Sequence, residues 1–147
     1  MALDGIFLST IAYELRDQII NSKIDKINQP EKDELIITIR GKKNLKLLIS
    51  ANSKYPRIHF TEASKQNPMQ PPMFCMVLRK YLTNGRIRDI YQVNSDRIIC
   101  LEITSKDEMG FDSVYRLIVE IMGRHSNISL VRDRENKIMD SIKHITA

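Results

Sequence analysis

The sequence lacks the features that mark several large classes of protein. Its 147 residues include two cysteines and no tryptophan, and Cys75 and Cys100 each lie in an apolar run with no second cysteine nearby. Disulfide frameworks and zinc ribbons need closely grouped cysteines, so neither is supported. We expect both thiols to be reduced and buried, as free cysteines usually are. With 42% hydrophobic residues, the length fits one domain with a substantial core.

Long hydrophobic runs are also missing. No stretch approaches the ~20 apolar residues that a membrane helix needs. The segment Met1–Gly5 has no basic residues, and Asp4 interrupts the apolar stretch that ends at Leu8, so no export signal is expected. The predicted location is the cytoplasm, without a membrane partner. The net charge of +5 favours weak attraction to polyanions such as RNA, DNA or anionic lipid.

The patterns of the common catalytic and metal centres are absent as well. The three histidines lie far apart in the sequence, with no serine-elbow motif near them, so a catalytic triad is not indicated. No histidine, cysteine and aspartate stand at metal-ligand spacing. The five glycines are scattered, and neither a dinucleotide-binding nor a Walker loop can be written. The sequence therefore predicts a binding domain without catalytic residues, metal or cofactor.

Apolar periodicity predicts helices and strands in one domain. Apolar residues recur every four positions from Asp4 to Asn21, which indicates a helix, and a second helix is expected between Pro72 and the stop at Thr83–Gly85. The prolines of Ser64–Pro72 indicate a mobile loop. Strands are expected at 34–40, 45–50, 57–61, 86–93, 97–104, 115–122 and 127–131. Ile87, Ile90 and Val93 do not alternate, which predicts a bulge in their strand.

Three polar segments are candidates for a binding site. At the tip of a predicted hairpin, Arg97 could bind a phosphate while Asp96 accepts a hydrogen bond from a sugar or base. After an apolar strand, Gly123 is followed by Arg124, His125, Ser126 and Asn127, which suit an anion or an RNA backbone. Asp4 begins the first helix. Each has a structural alternative, an ordinary turn for the first two and a helix cap for Asp4, and residue chemistry alone does not choose.

The same segments carry a resemblance to a known family. The stretches are Ala2–Gly5, Ala51–Ser53, Pro56–His59, Pro71–Lys80, Asp96–Arg97 and Glu120–Asn127. Together they resemble the NFACT-N domain, which heads the FbpA/RqcH proteins of bacteria and their eukaryotic relatives in ribosome quality control. The resemblance covers nearly the whole chain. It implies that residues 1–147 form one NFACT-N domain, and the apolar pattern that persists to the last residues predicts that the natural protein continues.

The resemblance implies a fold and argues against an enzyme. The family is similar to the N-terminal domain of formamidopyrimidine-DNA glycosylases. The expected fold class is therefore α+β, an antiparallel β-sandwich of hairpins and a meander with two flanking helices. Those glycosylases use a proline after the initiator methionine, followed by a glutamate, as nucleophile and acid. Ala2 and Leu3 stand at those places here, so glycosylase chemistry is not expected.

The resemblance also implies partners and site residues. Full-length family members bind the large ribosomal subunit with a stalled peptidyl-tRNA and recruit tRNA, alanyl-tRNA in bacteria, to add untemplated alanine tails. Asp96 and Arg97 match an Asp–Arg pair needed for tailing, and Asp4 matches an acidic position linked to the same activity. All three are expected to recognise tRNA. Arg124, His125, Ser126 and Asn127 match a family signature that either contacts RNA or holds the fold.

Two other functions stay open at this point. Proteins of the family are also described as fibronectin-binding, so the alternative hypothesis is a surface adhesin domain with fibronectin as its partner. An adhesin is expected to show an export signal or wall anchor, and neither motif is found in these residues. A residual DNA glycosylase or lyase is the third hypothesis, which the absence of the proline and glutamate disfavours.

Overall fold

The computed structural model of the protein describes residues 5–94 and 96–144, and Asp4 lies outside them. These described residues form helices α1 (Gly5–Ile19) and α2 (Met73–Leu82). They also form nine strands, which are β1 (Lys23–Glu31), β2 (Glu34–Arg40), β3 (Asn44–Ser50), β4 (Arg57–Thr61), β5 (Arg86–Gln92), β6 (Ile98–Lys106), β7 (Asp112–Glu120), β8 (Asn127–Arg132) and β9 (Lys137–Ser141). Short 3₁₀ turns cover Gly123–His125 and Asp133–Glu135.

The strands form one antiparallel sheet in the order β4-β3-β2-β1-β5-β6-β7-β8-β9. Strands β1 to β4 make one half and β5 to β9 the other, and the halves meet where Lys23 on β1 pairs with Arg86 on β5. Within each half, strands that follow each other in the chain are neighbours in the sheet, as hairpins require. The predicted antiparallel α+β architecture with two helices is therefore confirmed.

A single hydrophobic core joins the two halves and both helices. Helix α1 contributes an apolar stripe that includes Leu8, Leu15 and Ile19, and α2 contributes a stripe that includes Leu78 and Leu82. Alternate residues of the strands in both halves face this core. The sheet therefore folds back on itself, as the layers of a sandwich do. The similarity to formamidopyrimidine-DNA glycosylases stays a prediction.

Several local predictions are confirmed in detail. The sheet register shifts between Ile87 and Asp89, which is the irregularity predicted for β5. Helix α2 is followed by Asn84 in the left-handed region (φ 68). Cys75 and Cys100 are both buried free thiols, and burial raises the pKa of each. The segment 62–72 has no helix or strand and is mostly exposed, as expected for a loop.

Two strands were not predicted from the sequence. Strand β1 alternates poorly because its register with β2 shifts twice, between Ile24 and Lys26 and between Asn28 and Glu31. Pro30 lies inside the second shift, where a residue without an N–H breaks no ladder hydrogen bond. Strand β9 has five residues and ends the sheet. Both strands form because the sheet supplies pairing partners that local sequence patterns do not show.

Candidate functional site

The turn between β5 and β6 is held by its own main chain. The Val93 N–H donates to the Ile98 carbonyl at 2.9 Å, and the Asp96 N–H donates to the Val93 carbonyl at 2.9 Å. Asn94 adopts a left-handed conformation (φ 48), which asparagine tolerates better than most residues. The Gln92 side-chain amide donates to the Asp96 carbonyl at 2.7 Å. These bonds use backbone groups, and the side chains of Asp96 and Arg97 are exposed.

A second turn follows β7 and bends sharply at Gly123. Gly123 has a positive φ of 58°, which glycine adopts without steric cost. The chain then makes one 3₁₀ turn through His125, and the His125 N–H donates to the Met122 carbonyl at 3.1 Å. The Ser126 hydroxyl oxygen accepts a hydrogen bond from the Met122 N–H at 2.9 Å. Ser126 is 1% exposed, so its hydroxyl makes this hydrogen bond across the turn on the buried side.

Asn127 fastens the start of β8 to the chain that follows β9. Its Oδ1 accepts from the Ile128 N–H at 2.9 Å and from the Lys143 N–H at 3.0 Å. Its Nδ2 donates to the Lys143 carbonyl at 3.1 Å. Asn127 is 7% exposed, and its amide is occupied by main-chain groups on both sides. Asn127 therefore has a structural role, which is to connect the start of β8 to the segment after β9.

The predicted group of four signature residues thus divides into two pairs. Ser126 and Asn127 are buried and bond to the main chain, which is a structural role. Arg124 and His125 are exposed on the 3₁₀ turn, where a ligand could reach them. The sequence left open whether this segment contacts RNA or supports the fold. Ser126 and Asn127 support the fold, and RNA contact by Arg124 and His125 stays a prediction.

The two turns lie side by side at one end of the sheet. Strands β6 and β7 pair from Ile98 opposite Glu120, so the start of one strand meets the end of the other. One step beyond that pair, the Ile121 N–H donates to the Arg97 carbonyl at 2.9 Å. This bond connects the Asp96–Arg97 turn directly to the segment that carries Arg124 and His125. We call these four exposed residues the turn site.

Helix α1 directs its N-terminal end toward the turn site. It runs antiparallel to β5, because the Asn21 N–H donates to the Ile87 carbonyl at 2.7 Å and Arg16 Nε binds Asp89 Oδ1 at 2.8 Å. From Arg16 back to residue 5 the helix rises about 16 Å, and β5 advances by about the same distance from Asp89 to residue 94. The expected role of Asp4 in tRNA recognition stays a prediction, since Asp4 is outside the described residues.

Two other arginines, on α2 and at the start of β5, have structural partners. Arg79 on α2 donates from Nε to the Ile27 carbonyl at 2.7 Å and from Nη2 to Asn28 Oδ1 at 2.8 Å. Arg86 donates to the Asn21 carbonyl at 2.6 Å. Sequence reasoning missed Lys143, whose main chain bonds to Asn127 next to the turn site, because the two residues are 16 positions apart.

The described part of the chain shows no sign of a metal centre or a membrane helix. Within residues 5–94 and 96–144, no three His, Cys, Asp or Glu side chains are grouped closely enough to hold a metal ion. The same residues contain no helix of the length and apolarity required to cross a bilayer. The turn site itself presents two arginines, one histidine and one carboxylate.

Comparison with known proteins identifies a family with sequences similar to this chain. The sequence model described as "NFACT N-terminal and middle domains" matches residues 4–147. The Rqc2 homolog RqcH of Bacillus subtilis (strain 168) is 47% identical over 147 residues, which cover 99% of this chain and 26% of that protein. The chain thus spans about a quarter of the length of that relative.

Solved structures agree with the sequence comparison. The N-terminal domain of fibronectin-binding protein PavA from Streptococcus pneumoniae matches with a TM-score of 0.94 and 45% identity, over 98% of this chain and 55% of that one. The N-terminal part of the fibronectin/fibrinogen-binding protein from Streptococcus suis matches with a TM-score of 0.95 and 43% identity, over 99% and 55%. The chain belongs to the NFACT N-terminal family, which includes the RqcH proteins of ribosome quality control.

Proposed function

We propose that this domain recognises tRNA through the turn site and supports C-terminal alanine tailing of stalled nascent chains on the large ribosomal subunit. It acts as a non-catalytic binding module in the cytoplasm and needs no cofactor. The observation that carries the proposal is the hydrogen bond between Arg97 and Ile121, which brings Asp96, Arg97, Arg124 and His125 to one end of the sheet. Each of these four side chains is exposed.

The side chains suit the chemistry of RNA. The guanidinium groups of Arg97 and Arg124 can each bind a phosphate through two parallel hydrogen bonds. The Asp96 carboxylate can accept from a 2′-hydroxyl or from a base amine, which gives selectivity that a phosphate contact lacks. Because main-chain bonds fix the Asp96–Arg97 turn, binding needs little ordering of the backbone.

The test replaces Asp96 and Arg97 together with alanine in a full-length family protein that carries this chain. We expect alanine tailing on stalled ribosomes to be lost, while thermal unfolding of the domain is unchanged because both side chains are exposed. Tailing would be measured by the size shift of a reporter nascent chain. Normal tailing by this variant would contradict the proposal.

A matched control removes another exposed acid–base pair. Lys106 and Asp112 form a 2.7 Å ion pair on the hairpin between β6 and β7, with side chains 68% and 71% exposed. They lie at the opposite end of β6 from Ile98, so the Lys106→Ala, Asp112→Ala variant changes the same charges far from the turn site. We expect it to tail normally.

Fibronectin binding is the second candidate, favoured by the names of the two solved relatives. It differs from tRNA recognition in the partner that should bind. Immobilised fibronectin and a fluorescent tRNA would be titrated with the same chain at the same salt concentration. Saturable binding to fibronectin without binding to tRNA would favour the adhesin hypothesis.

A further inference from the structure

A cluster of cations lies at the end of the sheet opposite the turn site. It is formed by strands β1 to β3 and the hairpin tip between β2 and β3. We define the basic face as Lys23, Lys26, Arg40, Lys42, Lys43 and Lys46. We propose that the basic face binds the phosphate backbone of double-helical RNA, as a second RNA contact that is separate from the turn site and does not depend on the proposed tRNA recognition.

The first part of the basic face, Lys23 and Arg40, adjoins Arg86 on β5 and forms with it a row of like charges across three strands. Lys23 lies directly opposite Arg40 on β2 and directly opposite Arg86 on β5. Their neighbours in the strands, including Ile24 and Ile39, are buried in the core, so the three basic side chains point outward. Directly opposed residues are about 5 Å apart at Cβ, and like charges at this separation are destabilising.

Nearby acidic groups neutralise this row only in part. Arg40 Nε binds Asp25 Oδ2 at 3.3 Å, and Arg86 is held by the Asn21 carbonyl, which carries no formal charge. Asp107 and Asp112 line the same cavity as Arg86, so the excess of positive charge lies at Lys23 and Arg40, which stand against the single carboxylate of Asp25. An unfavourable row of this kind indicates a polyanionic partner, because binding a polyanion removes the repulsion.

A second row continues the basic face along β2, away from the hairpin tip. Thr38 lies between Lys26 on β1 and Lys46 on β3, and it stands two residues from Arg40 on the same side of β2. Lys42 and Lys43 are exposed at the tip. Glu62 lies beside Lys46. With Asp25 and Glu62 as the adjoining acids, six cations and two carboxylates give a formal charge of +4, against +5 for the whole chain.

The chemistry of the face fits an RNA duplex better than a single strand. Proteins that bind single strands stack bases on aromatic side chains, and none of the residues directly opposite the strand cations is aromatic: these are Thr38, Asn44, Thr61 and Arg86. A-form duplexes are recognised mainly by shape through phosphates and 2′-hydroxyls, which cations on a rigid scaffold can contact.

The basic face and the turn site are too far apart to be one site. Arg86 begins β5 beside Lys23, and Gln92 ends it beside the turn site. Six residues of extended strand separate them, which is about 20 Å. A variant at one surface can therefore be tested while the other stays intact.

The test measures binding of a fluorescent RNA duplex of about 16 base pairs, the length that known double-stranded RNA-binding domains span. The patch variant is Lys26→Gln, Lys42→Gln, Lys43→Gln. The control variant is Lys32→Gln, Lys54→Gln, Lys137→Gln, which removes three exposed lysines elsewhere and gives the same net charge. Binding would be titrated at several salt concentrations, with circular dichroism to verify that each variant is folded.

We expect the patch variant to lose tenfold or more in affinity and the log–log salt slope to become shallower by about two, since each lost phosphate contact contributes roughly 0.7–0.9. The control variant should bind like the unmodified chain. Equal loss in both variants would overturn the proposal, and so would binding to phosphatidylserine vesicles without binding to the duplex.

A third variant separates this inference from the proposed function. Asp96→Ala, Arg97→Ala should keep duplex binding, because the turn site lies at the other end of the sheet. Loss of duplex binding in that variant would place the duplex at the turn site and overturn the inference. Suppose that tailing is independent of Asp96 and Arg97 while the patch variant loses duplex binding. That result would contradict the proposed function of the turn site and would support duplex binding by the basic face.

Discussion

At the scale of single residues, neighbours in the sequence divide between holding the turn site and facing solvent. The side-chain amide of Asn127 forms three hydrogen bonds with main-chain groups, whereas Arg124, three positions earlier, is exposed. From the sequence, both residues were candidates for RNA contact, because polar residues after a strand suit either ligand binding or support of the fold. The two residues differ because Asn127 is buried and bonds to Lys143, and Lys143 reaches it only because β9 ends nearby.

Replacing Asn127 tests this division. Asn127→Ala leaves the main-chain groups of Lys143 without their partner in a partly buried position, so we expect the free energy of unfolding to fall by about 2–3 kcal/mol. Chemical denaturation would measure it. Arg124→Ala serves as the comparison and should stay within about 0.5 kcal/mol of the unmodified chain, as exposed substitutions do. Equal stability of the two variants would contradict the structural role of Asn127.

At the scale of secondary-structure elements, the sequence predicted those with strong local signals. Strands β2 and β3 are rich in leucine and isoleucine, and their hairpin was predicted within one residue at each end. Strand β1 was missed because only Ile24 and Ile27 mark its buried side, with Asp25 bulged between them. Strand β9 was missed because its five residues acquire a regular structure only by pairing with β8.

The tip of the β2–β3 hairpin depends on a close approach that only glycine allows. A Cβ on Gly41 would lie 2.1 Å from Ser22 Oγ and 2.9 Å from Ser22 Cβ. Ser22 is 6% exposed, and rotation of its hydroxyl would move Oγ but leave its Cβ at 2.9 Å. We expect Gly41→Ala to lower the free energy of unfolding by about 1–3 kcal/mol, as overpacking does, measured by thermal or urea unfolding.

A second substitution verifies the cause of that loss. Ser22→Gly removes both of the contacting atoms, so combining it with Gly41→Ala should cost less than the sum of the two single changes. Lys42→Ala, at an exposed position next to Gly41, should change stability by less than about 0.5 kcal/mol. If Gly41→Ala alone were as stable as the unmodified chain, the close approach to Ser22 would not limit the hairpin.

At the scale of the whole molecule, one sheet presents two polar surfaces at opposite ends. The core lies between the halves of the sheet and takes up both helices, which leaves strand ends and turns as the places for exposed function. The turn site was predicted from resemblance to a family. The basic face was not, because it arises from cross-strand neighbours that are apart in sequence, such as Lys23 on β1, Arg40 on β2 and Lys46 on β3.

Independence of the two surfaces is the prediction that concerns the molecule as a whole. One variant carries Asp96→Ala and Arg97→Ala, and the other carries Lys26→Gln, Lys42→Gln and Lys43→Gln. The two sets of residues share no contacts and are separated by about 20 Å of strand. Their effects on the free energy of unfolding should therefore add within about 0.5 kcal/mol, as they do for distant sites. Urea unfolding of the two variants and of their combination would measure this. A larger deviation would mean that the sheet couples its two ends, and the losses of RNA affinity could then no longer be assigned to separate contacts.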